Sequence, residues 1–143
     1  MKIMFDSNVF DKLPFFISKI KESNSDFSYY ITSIQVEELC EIPDSKKEIR
    51  KTNILMLADL RAKLIPTTIT VLGISRFGYT CLGEGKVYNL ILNKNHSNVK
   101  DAIIADTSVG EDCTLVTEDT DFYNKMKSNG YKVLKFNDFL QMI

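Results

Sequence analysis

The chain reads as an α/β protein, a central twisted parallel sheet with helices on both faces in three layers. Three observations predict this. Short β-branched and aromatic runs alternate with longer segments of helical periodicity, the order that parallel strands and crossover helices require. The runs Ile3-Met4-Phe5, Tyr29-Tyr30-Ile31 and Thr114-Leu115-Val116-Thr117 are followed by turn or helix-start residues. Two of them lead into aspartates, Asp6 and Asp119, at the carboxyl ends of strands, outside which open parallel sheets place their ligand crevice.

Lys2 to Phe5 forms the first expected strand, and Pro14 suits the first turn of a helix continuing through Phe16, Ile17 and Ile20 to about Glu22. Ser23-Asn24-Ser25-Asp26 supplies a turn before the Tyr29–Ile31 strand. Thr32-Ser33-Ile34-Gln35 then matches a capping box opening a helix that stops near Pro43. Asp44 is placed to cap a longer helix reaching about Leu64, with Ile54, Leu57, Leu60 and Leu64 on its apolar face. Its basic segment, Lys46 to Lys51, reads first as a solvated face and second as an RNA or partner contact. Thr67 to Leu72 is a strand or an extended connection.

Gly83-Glu84-Gly85-Lys86 invites comparison with a phosphate-binding loop. The comparison fails, because Thr80 and Val87 stand where that loop needs glycine and Ser or Thr. A turn into a helix from Lys86 to Leu92 is expected instead. Asn93 to Asn98 is a polar loop, Val99 to Gly110 a helix, and Cys113 to Thr117 a strand. A helix from Asp119 to Ser128 stops at Asn129-Gly130; Tyr131 to Phe136 alternates as a last strand, and Asn137 to Met142 closes the chain as a helical turn.

With 143 residues, 44% hydrophobic and 26% charged, the sequence fits a single domain, 1–143, and excludes a disordered chain or a coiled coil. No apolar stretch approaches the roughly 18 residues of a membrane span, so a cytoplasmic location without membrane partners is expected. Cys40, Cys81 and Cys113 are odd in number and widely spaced, unlike a disulfide framework or zinc site, and the lone His96 supports no multi-histidine centre. The net charge of −1 gives no global basic footprint. Without four particular acids the balance is 18 cations against 15 anions, or +3, which leaves room for transient RNA contact.

Those four are Asp6, Glu38, Asp101 and Asp119. Glu38 shares a helical column with Ile34 and Ile42, and a carboxylate in an apolar column is costly unless a cation or donor meets it. Asp101 lies in the first turn of its helix, where the macrodipole favours an acid whatever the function, and small Ala105 one turn on leaves space above it. Asp6 and Asp119 have an equal claim to be helix caps. Asp106, five residues past Asp101, points elsewhere around the helix. Four converging carboxylates would repel one another without a compensating cation, and an all-oxygen set selects a hard ion, Mg²⁺ or Mn²⁺. Phosphodiester hydrolysis is the natural chemistry of such a site.

The pieces Phe5-Asp6-Ser7-Asn8, Thr32-Ser33 with Glu38-Leu39, Asp101 with Ile104-Ala105, and Leu115 to Phe122 resemble, in order and spacing, the PIN-domain family, particularly its VapC-type toxin ribonucleases. The resemblance implies a three-layer α/β/α PIN-like fold and an acidic pocket of Asp6, Glu38, Asp101 and Asp119, with Asp121 auxiliary and Asn8 and Thr117 orienting the carboxylates. It also implies metal-dependent cleavage of single-stranded RNA to 5′-phosphate and 3′-hydroxyl ends, a homodimer, and an antitoxin protein lying in an apolar groove. Asp106 departs from the pattern, since small residues are more usual there. A haloacid dehalogenase-type phosphatase needs a second Asp where Asn8 stands, and a response-regulator receiver needs an acidic neighbour that Asp6 lacks. The remaining rival is a noncatalytic PIN-like module that binds RNA or protein.

Overall fold

The computed structural model describes residues 1–23, 26–92 and 98–143. Five strands, β1 (Lys2–Phe5), β2 (Ser28–Ile31), β3 (Lys63–Leu64), β4 (Thr114–Val116) and β5 (Val133–Leu134), form one sheet in the order β3-β2-β1-β4-β5. Every neighbouring pair is parallel. Among the described residues seven α-helices surround it: α1 (Ile17–Glu22), α2 (Ser33–Cys40), α3 (Lys47–Asp59), α4 (Lys86–Leu92), α5 (Val99–Gly110), α6 (Thr120–Ser128) and α7 (Phe136–Met142).

Side chains alternate across the strands, so each sheet face builds its own core. Ile3 and Phe5 of β1 pack with Ile20, Met56, Leu60, Val116 and Phe139 on the side of α1, α3 and α7. Met4 and Leu115 pack on the opposite side against Ile91, Ile103, Ile104, Phe122 and Met126 of α4, α5 and α6. Three layers result, as the alternation of elements predicts. Among the described residues no helix is long and apolar enough to cross a membrane.

Several boundaries differ from expectation. Pro14 sits in a separate 3-10 turn, Leu13–Phe15, because Phe16 leaves helical geometry (φ −126°, ψ 6°) before α1 starts. The helix expected to reach Leu64 ends at Asp59: Arg61 adopts a left-handed φ of 51°, and Ala62 N–H bonds back to Leu57 O at 3.0 Å. Leu64 consequently joins β3 beside Ile31, and the helix buries Asn53, Met56 and Leu60 rather than Ile54. Asp44 does not cap that helix; it begins a 3-10 turn and takes a hydrogen bond from Arg50 at 2.7 Å. The rest of the basic face lies largely in solvent. Of the two readings left open for Thr67 to Leu72 the structure gives the connection, since among the described residues its only pairing is a single bridge from Thr67 to Thr80. The last strand shrinks to Val133–Leu134 because Phe136 already opens α7. Asn24, Ser25 and residues 93–97, including His96 and most of the expected polar loop, lie outside the described residues.

Asp106 explains the Gly83–Lys86 turn. From α5, its buried carboxylate accepts N–H bonds from Val87 and Tyr88 at 3.1 and 3.0 Å, capping α4 from outside, and a hydroxyl bond from Thr68 at 2.5 Å. The α4 amides that a phosphate would need are thus held by a carboxylate of the protein itself.

Candidate active site

In the order 3-2-1-4-5 the chain runs outward from β1 in one direction and from β4 in the other, so the topological switch point falls between those two strands. Asp6 and Thr117 directly follow them. Asp6 N–H donates to Val116 O at 2.9 Å, extending the ladder by one residue and bringing the Asp6 side chain beside Thr117. The Asp6 carboxylate is buried, and its Oδ2 accepts from Thr117 Oγ1 at 2.7 Å and Asn8 Nδ2 at 2.8 Å. Asn8 Oδ1 in turn accepts from Glu118 N–H at 3.1 Å. Asn8 and Thr117 thus both donate to Asp6 and tie the ends of β1 and β4 together.

Asp119 follows two residues after Thr117. Its N–H donates to Thr117 Oγ1 at 3.1 Å, and its Oδ1 caps α6 by accepting from Phe122 N–H at 2.7 Å. Asp119 therefore caps α6; its side chain is exposed, and its charge acts on Asp6 and Asp101. Asp121 is exposed in the first turn of α6.

Glu38 arrives on α2, whose start is fixed to β1 by a residue that periodicity alone does not flag. Gln35 Nε2 donates to Phe5 O at 2.8 Å while its Oε1 accepts from both the N–H and the hydroxyl of Thr32, at 2.7 and 2.8 Å. Three residues later Glu38 faces the site, and its Oε2 is buried with no hydrogen-bond partner among the described residues. Burial is the main force raising its pKa, opposed by the Ser7 hydroxyl and reinforced by the charge of Asp6.

Asp101, in the first turn of α5, shows that the four acids share one electrostatic space. Its pKa is pushed up to about 7, first by burial and then by the charges of Asp6, Glu38 and Asp119, with Lys125 opposing. Asp6 is also raised, chiefly by burial, although Thr117, Ser7 and Asn8 favour its ionised form. Lys100, hydrogen-bonded to Glu41 at 2.9 Å, acts on Glu38 as a counter-charge. Neither Lys100 nor Lys125, nor Ser7, stands out in the sequence, because each sits in an ordinary polar context.

The donor set is oxygen only, negatively charged, partly desolvated and includes one unpartnered buried carboxylate oxygen, features that suit a hard divalent cation. No closed cage is preformed, since among the described residues no three His, Cys, Asp or Glu side chains stand close enough together to hold a metal ion. The acids are coupled through their charges and not yet gathered around a point.

No protein-family model matches the sequence, and no curated protein matches it. The fold does have a solved counterpart. The crystal structure of VapBC2 from Rickettsia felis bound to a DNA fragment from their promoter contains a chain that superposes with a TM-score of 0.60 and 17% identity, over 94% of this chain and 98% of that one. At that identity the likeness establishes the architecture: the chain has a PIN-like fold, a parallel five-stranded sheet flanked by helices.

Proposed function

We propose that this chain is a divalent-metal-dependent endoribonuclease that hydrolyses phosphodiester bonds of single-stranded RNA and serves as the toxin of a toxin–antitoxin pair. The observation that carries the reading is the position of Asp101 in the combined field of Asp6, Glu38 and Asp119, with Asp6 and Asp119 near the switch point of a PIN-like sheet. The likeness to VapBC2, which the resemblance of the sequence motifs parallels, supports the toxin role and an antitoxin partner.

Asp6, Glu38, Asp101 and Asp119 would hold Mg²⁺ or Mn²⁺, which supplies Lewis acidity toward a phosphate oxygen and lowers the pKa of a bound water. The protein's own contribution is positional. Asn8 and Thr117 hold Asp6 in a single orientation, so one carboxylate is preorganised. The desolvated Glu38 and Asp101 carry the repulsion that an incoming positive charge relieves. Asp121, exposed on α6, would serve only as an auxiliary acid.

One observation favours the second reading, a noncatalytic module binding RNA or protein: the acids are not gathered into a ready cage. Cleavage of single-stranded RNA with Mn²⁺, with EDTA and Asp6→Asn as controls, separates the two. The nuclease requires cleavage lost in both controls. Equal cleavage by wild type and Asp6→Asn would remove the catalytic role, whereas metal binding with no cleavage would establish the module.

A further inference from the structure

The acid site is negative and its proposed substrate is a polyanion, so cations at its rim decide whether the strand can settle there. Most lysines near it are already engaged within the fold. Lys12 Nζ donates to Glu118 Oε2 at 2.6 Å, while Lys135 Nζ donates to Glu118 O at 2.9 Å and lies over the Tyr123 ring. Lys100 is held by Glu41 of α2 at 2.9 Å. On α6, Lys127 donates to Tyr123 Oη at 2.8 Å, with its ammonium 5.1 Å from the centre of that ring. Lys125 is the exception. It is half-buried, yet its side chain makes no hydrogen bond or ion pair among the described residues. Asp121 stands four residues earlier, at the spacing where helical ion pairs form, and does not pair with it.

The fold gives this free cation a direction. Phe122 and Met126, three residues before it and one after, are buried in the core cluster that holds Ala102, Ile103 and Ala105 of α5, so Lys125 sits on the flank of α6 that meets α5. Helical Cα–Cβ bonds tilt toward the N-terminus, and its side chain leans back toward the turn that carries Asp119. Across the seam is Asp101, on which the Lys125 charge acts. An ammonium offers three donors, and a lysine meets a phosphate as a compact point charge. Of these lysines Lys125 alone has all three to give.

We propose that Lys125 is a substrate-binding residue, its ammonium contacting a phosphate of the single-stranded RNA on the α6 side of the acid site, next to the phosphodiester presented to Asp101. Lys127, about 200° further round the same helix, takes no part. The inference rests on the proposed reading of this site in one respect, that the site takes RNA; it does not require cleavage. The contrasting role is a lysine that serves Asp101 only as a counter-charge.

Fluorescence anisotropy with a short labelled single-stranded RNA in Mn²⁺ tests it, on the Asp6→Asn chain so that the RNA stays whole. Adding Lys125→Gln should weaken binding about fivefold at about 0.1 M salt and flatten the slope of log affinity against log salt by about 0.7, the loss of one phosphate contact on a single strand. Lys125→Arg should recover the slope. Lys127→Gln, the same charge change on the same helix, should leave affinity within about twofold, because a screened charge off the strand's path acts weakly. Unchanged affinity and slope in Lys125→Gln overturn the proposal, and a lower melting temperature of that variant in EDTA would then mark a counter-charge for Asp101. Equal weakening by Lys127→Gln overturns it as well, since general attraction explains both losses. So does a slope that Lys125→Arg leaves flat, or an RNA that neither wild type nor the Asp6→Asn chain binds. The nuclease reading is scored apart from this: a wild type that cuts no RNA while Lys125-dependent binding persists sinks that reading and leaves the contact standing, and cleavage by wild type with no effect of Lys125→Gln on binding does the reverse.

Discussion

Replacing Asp101 by Asn should stabilise the metal-free protein, and the gain should depend on pH. In the fold this carboxyl titrates at about 7 instead of 3.8, because burial and the charges of Asp6, Glu38 and Asp119 oppose its ionisation. Between those two values the native state keeps a proton that the unfolded chain has lost, so stability falls as pH rises and the full penalty is present above the folded pKa. The gap corresponds to roughly 4 kcal/mol at about 1.4 kcal/mol per pH unit. Asp101 is partly exposed, and screening by solvent reduces this to about 2 kcal/mol. Asn carries no such penalty. Thermal melts in EDTA should therefore coincide near pH 4, diverge as pH rises, and differ by about 6 °C at pH 8 with the variant higher. Mn²⁺ should close the gap at pH 8 by stabilising wild type preferentially, since the cation meets the charge that Asn removes. A difference constant across pH, or a variant that melts lower at pH 8 in EDTA, would refute the argument that Asp101 is partly desolvated in the field of the other three acids.

Two further substitutions test other parts of the structure. Glu38→Gln should cut RNA cleavage by about a hundredfold or more while its melting temperature in EDTA stays level or rises, because an amide replaces a desolvated carboxylate with an unpartnered oxygen; unaltered turnover would mean that a different glutamate serves the site. Asp106→Ala should lower stability by about 3 kcal/mol, since two amides of α4 and the Thr68 hydroxyl lose a charged acceptor. Calorimetric loss under about 1 kcal/mol would show that this external cap contributes little.

Element types are legible along most of the chain, and some helix ends are too: the expected bounds Lys86–Leu92 and Val99–Gly110 coincide with α4 and α5. Three helices end alike, with a residue at positive φ and the next N–H bonding five residues back: Ala62 to Leu57, Cys113 to Ser108 and Tyr131 to Met126. Only the third carries glycine at the turning position, Gly130, yet the ends of both the second and the third fall where the sequence predicts. At the first, Arg61 takes the left-handed conformation, a choice that no propensity favours, so the periodicity of Leu57, Leu60 and Leu64 carried the expected helix into what is the edge strand. For the Thr67–Leu72 run, left open between a strand and an extended connection, the structure gives the connection. Its β-branched residues hydrogen-bond through their side chains to their own loop, so the pattern that resembles a strand serves an irregular turn.

The acids separate local from nonlocal information. Of the two readings the sequence leaves open for Asp119, the structure shows the cap, through Oδ1, and its charge still reaches Asp101. That Asp6 bonds Thr117 and feels the charge of Asp119 depends on something no segment encodes, the pairing of β1 with β4 in the register Phe5 to Val116. Adjacent strands lie about 4.8 Å apart, and one intervening strand would put the two ends about 10 Å apart, beyond the reach of a common ion. Strand order, more than the presence of four carboxylates, is therefore what turns this acidic composition into a candidate site.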